Sequence, residues 1–140
     1  MPSAFSTEAP GSPMVAGPAL PSATAFLRLE AVLAAGGAIA AYAYLGFPWW
    51  LFGALILVPD VAMFGYLGGP RLGAMTYNLA HTYIAPALLA GLGYLFHEPL
   101  VWGLAAIWCA HIGLDRVLGY GLKLAGDFKH THLSGAGTFR

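Results

Sequence analysis

Residues 49–71 read WWLFGALILVPDVAMFGYLGGPR. Two tryptophans open the stretch, and Gly68-Gly69-Pro70 followed by Arg71 closes it. Everything between is apolar or small except Asp60, which directly follows Pro59. A helix of about 20 apolar residues is long enough to cross a hydrocarbon core of roughly 30 Å. Aromatic residues at one end and an arginine at the other suit the two membrane–water interfaces. The carboxylate is then the anomaly. An ionisable side chain inside lipid is expensive, so it marks a functional position by default.

Working outward, the same pattern recurs. Apolar runs cover 26–45, 49–67, 72–95 and 100–122, separated by Gly46-Phe47-Pro48, Gly68-Gly69-Pro70 and His97-Glu98-Pro99. Hydrophobic residues make up 59% of the 140-residue chain and charged ones 9%, which suits lipid and little else. The fold class expected is all-α, a four-helix transmembrane bundle. Pro59 and Pro86 lie inside the second and third runs and should kink them. Residues 1–24 hold five of the ten prolines among Ser, Ala, Thr and Gly, and are expected to be a disordered N-terminal segment. The transmembrane domain is expected over 25–125, and a cytoplasmic C-terminal tail over 126–140.

The six basic residues set the orientation. Arg28, Arg71, Arg116, Lys123, Lys129 and Arg140 all map to one side of an up-down bundle, while the loops 46–48 and 96–99 carry none. Positive-inside counting puts both termini in the cytoplasm of a multi-pass protein of the bacterial cytoplasmic (inner) membrane. Six acidic residues balance the six basic ones, so no basic excess points to nucleic acid. Cys109 is the single cysteine, which leaves no disulfide or CxxC motif.

The polar residues inside the runs converge in depth. With a rise of about 1.5 Å per residue, Asp60, Asn78 and Asp115 lie roughly 10 Å from the cytoplasmic ends, and His81 and His111 roughly 15 Å. His111 and Asp115, four residues apart, share a helix face, as do Tyr77, Asn78 and His81. One reading is a purely structural network, with Arg28, Arg71 and Arg116 neutralising Glu30, Asp60 and Asp115. A second takes Asp60, His81, His111 and Asp115 as ligands for a divalent metal such as zinc or manganese. Glu30, Tyr77, Asn78 and Arg116 would then support the ligands from outside, and the metal could activate water for hydrolysis. Axial haem ligation by His81 and His111 is a third reading, poorly suited by carboxylates one turn away. A proton or ion path through Glu30, Asp60 and the histidines is a fourth; with four spans it asks for a homo-oligomer. Arg116 follows Asp115 about 100° round the helix and is expected to pair with Glu30 or reach the interface. Lys123, Lys129 and His130 are candidates for contact with lipid headgroups.

Several phrases carry a family resemblance: LRLEAVL at 27–33, PDVAMFGYLGGPRLGAMTYNLAHTY at 59–83, AHIGLDRVLGYGLK at 110–123 and FKHTHL at 128–133. Together they resemble the domain of unknown function 4260 family of small bacterial integral membrane proteins. The resemblance spans about 27–133 and implies a four-span membrane protein with no assigned activity. Pro59-Asp60, His81-Thr82 and His111 with Asp115 also resemble, in order, motifs of inner-membrane metal-dependent hydrolases of the YdjM type. Val61, Ala62 and Met63 stand where that pattern has acidic and histidine residues, and its first middle-motif histidine is missing. The function expected is therefore that of a small polytopic membrane protein. Its buried His/Asp layer would serve a structural, lipid-binding or partner-binding role. The alternative is a metal-dependent hydrolase of a lipid or isoprenoid phosphate.

Overall fold

The computed structural model describes residues 23–123. Every regular element among them is helical: α1 Ala23–Leu45, α2 Trp49–Leu55, a 3-10 helix Val58–Gly68, α3 Pro70–Ala80, α4 Ile84–Phe96 and α5 Pro99–Leu118. The all-α expectation holds. The stops fall at the Gly/Pro punctuation, and the turn into α3 needs glycine because Gly69 has φ 111. α1 starts at Ala23, inside the stretch expected to be disordered. The rest of that head, and the tail 126–140 with Lys129 and His130, lie outside the described residues.

Two of the four expected spans are not single α-helices. Pro59 has no N–H to give the Leu55 carbonyl, and α2 ends at Leu55. The chain continues as the tighter Val58–Gly68 helix, with Pro59 in its first turn. Pro86 similarly cannot bond the Thr82 carbonyl, and the third run breaks into α3 and α4, bent by 40°. Ala23–Leu45, Trp49–Gly68 and Pro99–Leu118 are long and apolar enough to cross a membrane, and α3 with α4 makes a fourth span if read as one. The fourth run also stops short of 122, because Gly119 at φ 92 terminates α5 after Leu118.

α5 is the central helix, with α1 and α4 packed on it, while Val58–Gly68 packs on α3. Small residues allow the close approaches. Ala31 and Ala35 of α1 are buried, and a Cβ added at Gly113 would lie 2.9 Å from the Ala35 backbone nitrogen. Without a hydrophobic driving force between helices in lipid, such close contact is what holds them together. The Thr76 hydroxyl ties α3 to its neighbour by donating to the Ala62 carbonyl at 2.8 Å. Away from the charged layer, Tyr42, Ala106 and Ile107 form the core under Phe47, Phe52, Leu55 and Ile56. Large apolar side chains such as Leu33, Leu67, Leu79, Leu88 and Phe96 point outward, a surface that suits lipid rather than water.

Candidate metal centre

The break between α3 and α4 builds the site. His81 caps α3 with φ −110 and ψ 17, close to the sparsely populated bridge region. Its main-chain N–H and its ring Nδ1 both donate to the Tyr77 carbonyl, each at 2.9 Å. A carbonyl only accepts, so Nδ1 carries the proton and a neutral ring presents a bare lone pair at Nε2. The Tyr77 ring stacks on the imidazole, with centroids 3.8 Å apart and planes 13° from parallel. The break also frees the Ala80 carbonyl, which the Trp108 indole N–H takes up at 2.7 Å. Non-helical backbone at membrane depth is tolerated only where such partners exist.

Three neighbours converge on that lone pair. His81 Nε2 lies 3.1 Å from His111 Nε2, 3.3 Å from Asp60 Oδ1 and 3.4 Å from Asp115 Oδ2. His111 Nε2 lies 3.5 Å from Asp60 Oδ1 and 3.8 Å from Asp115 Oδ2. One donor atom from each of the four residues falls within 4.8 Å of every other. Both histidines are buried, while the Asp115 side chain is 19% exposed and that of Asp60 38%. The two α5 residues converge because they are four apart on one face. Asp60 arrives from the first turn of Val58–Gly68, and His81 from the end of α3.

With both rings neutral, the cluster has more acceptors than protons to share. A neutral His81 has no hydrogen left for either carboxylate, and His111 can satisfy only one neighbour through Nε2. In that protonation state the two carboxylates would bring a double negative charge to a largely buried cluster, which is costly unless balanced. A divalent cation suits the set. Zinc bonds to nitrogen and oxygen of about 2.0–2.2 Å give tetrahedron edges of roughly 3.3–3.5 Å. The five distances above, 3.1 to 3.8 Å, bracket that edge.

The residues expected to support the ligands divide. Tyr77 belongs to the site: besides stacking on His81, its hydroxyl donates to Asp115 Oδ2 at 3.4 Å. Asn78 instead holds the chain after α5, donating from Nδ2 to the Lys123 carbonyl at 2.8 Å and accepting from the Lys123 N–H at 2.7 Å. Lys123, expected at lipid headgroups, is thereby buried, its ammonium 5.4 Å from the centroid of the Tyr77 ring. Glu30 is exposed on α1 and makes no ion pair among the described residues. The pairing expected between Arg116 and Glu30 is not found: the Arg116 guanidinium sits 4.6 Å over the Tyr83 ring. The expected neutralisation of Asp60 and Asp115 by arginine is not found either, since their partners among the described residues are histidines. Trp108 escaped sequence reasoning. Its signal was position: an indole in the middle of an apolar run, rather than at its end, needs a buried acceptor.

Helices of membrane-spanning length and a buried His/Asp cluster fit an uncharacterised membrane protein. The chain belongs to the family described as domain of unknown function (DUF4260), which residues 24–135 match. No curated protein and no solved structure matches it.

Proposed function

We propose that this is an integral membrane protein of the bacterial cytoplasmic membrane that binds one divalent cation, zinc by preference, through Asp60, His81, His111 and Asp115. The observation that carries the reading is the His81 Nε2 environment: two carboxylate oxygens and a second imidazole nitrogen lie within 3.4 Å of it. A cation turns these repulsions into bonds and cancels both carboxylate charges. Four nitrogen and oxygen donors, five of whose six mutual distances lie near a tetrahedral edge, favour zinc over manganese, which prefers six oxygen-rich ligands. A metal held so would join Val58–Gly68, α3 and α5, and binding free energy of that kind is also folding free energy. Both termini face the cytoplasm in this reading, as the basic residues require.

Cobalt(II) substitution tests it. Four-coordinate cobalt gives intense visible d–d bands, and six-coordinate cobalt weak ones. The proposal expects intense bands that vanish in His111→Ala. Weak bands, or bands unchanged in the variant, would reject the four-residue centre.

One observation favours a second reading, metal-assisted hydrolysis of a lipid or isoprenoid phosphate. The Asp60 side chain is 38% exposed, so one ligand position faces outward and could yield to substrate. Catalytic zinc sites keep three protein ligands and one exchangeable position, and a bound cation supplies Lewis-acid chemistry there. In this reading His81, His111 and Asp115 hold the ion, and Tyr77 fixes the Asp115 carboxylate. Zinc-dependent release of phosphate from a short-chain phosphatidic acid, lost in His81→Ala, would support it. No release by zinc-loaded protein would leave the metal-binding role alone.

A further inference from the structure

α5 serves two places. His111 and Asp115 face the candidate metal centre; Trp102, Ala105, Ala106 and Cys109 line a second one. There a lateral groove of about 540 Å³ opens between α1 and α4, walled by Gly37, Ala38 and Ala41 of α1 and by Pro86, Ala87 and Ala90 of α4. Its lining is almost wholly apolar. Tyr83 stands in its wall, and its buried hydroxyl finds no hydrogen-bond partner among the described residues.

Charge lies at the same end. Arg116 is seven residues, about two turns, beyond Cys109 on the groove face, and its guanidinium covers the Tyr83 ring at 4.6 Å. Arg28 of α1 reaches the same end: its guanidinium lies 3.9 Å from where a Cβ on Gly119 would stand. An apolar trough in the bilayer, ending at two guanidiniums, matches one kind of molecule.

We infer that the groove between α1 and α4 binds an anionic glycerophospholipid of the surrounding bilayer. An acyl chain lies along Gly37, Ala41 and Ala90, and the phosphate sits at Arg116 and Arg28. Arginine suits a phosphate because its planar fork offers paired donors. This site is separate from the metal centre and does not depend on it.

Native mass spectrometry of the full chain, released from detergent with phosphatidylglycerol or with phosphatidylcholine of identical chains, tests the inference. Phosphatidylglycerol should bind roughly tenfold tighter, and Arg116→Gln should remove roughly fivefold of that preference. Gly37→Leu should weaken both lipids alike, because a Cβ at Gly37 meets open space in the groove and the larger side chain fills it without displacing a neighbour. Equal binding of the two lipids by the unaltered protein overturns the proposal and needs no variant. A preference for phosphatidylglycerol that survives both substitutions would place the lipid elsewhere on the protein and overturn it as well.

Discussion

His81 Nε2 and His111 Nε2 lie 3.1 Å apart, although they come from residues thirty positions apart on different helices. The helix break at Pro86 makes this approach possible. It ends α3 at Ala80, leaves His81 as a cap, and lets its ring bond back to Tyr77 instead of pointing into lipid.

Tyr77 orients two of the proposed ligands at once, so Tyr77→Phe should preserve the stack on His81 but lose the bond to Asp115. Removing such an outer partner weakens metal affinity by roughly 10–100-fold. Competition with a chromophoric chelator measures this. An affinity equal to that of the unaltered protein would show that the hydroxyl does not hold the carboxylate.

Trp108→Phe should leave the Ala80 carbonyl without its 2.7 Å partner. The expected loss is about 1–3 kcal/mol of stability, the cost of a buried acceptor left unmade. Unfolding in mixed micelles with increasing sodium dodecyl sulfate would reveal it. A variant as stable as the parent would mean that water or lipid satisfies the carbonyl.

Gly113→Leu should disrupt the α1–α5 contact, since even a Cβ there comes within 3.0 Å of Ala35 main-chain atoms. Overpacking of this kind typically costs about 1–3 kcal/mol. The comparison with Gly37→Leu is internal: that substitution enters open space and should leave the melting temperature of the protein almost unchanged. Equal destabilisation by the two would contradict the packing described.

Much of this was legible in the sequence because lipid imposes few solutions. Length, apolarity and Gly/Pro punctuation fix the helices, and the cost of burying Asp60, His81, His111 and Asp115 forces them to face one another. What stayed hidden depends on backbone detail. Pro59 and Pro86 predict kinks, but not that one run becomes a tight 3-10 helix and the other breaks beside a histidine. Helical periodicity placed Asn78 with His81, yet the amide turns to clamp Lys123, because the chain reverses after Gly119 and brings its backbone within reach. Arg116 was expected to seek a carboxylate and instead covers Tyr83, a partner no spacing rule could name.

The proposed orientation rests on charge alone, and reporter fusions check it. A phosphatase–fluorescent protein pair fused after residue 140 and within the 96–99 loop should report the first as cytoplasmic and the second as periplasmic. The opposite assignment would invert the protein and place the metal layer in the outer half.

Elemental analysis of the purified protein tests the central claim most directly. Prepared without chelator and exchanged into metal-free detergent buffer, the unaltered chain should retain about one zinc per molecule, and His81→Ala should retain almost none while keeping its helical content. A folded, unaltered protein that stays free of zinc and other divalent metals, even after incubation with them, would contradict the account and leave the cluster as a proton-sharing network.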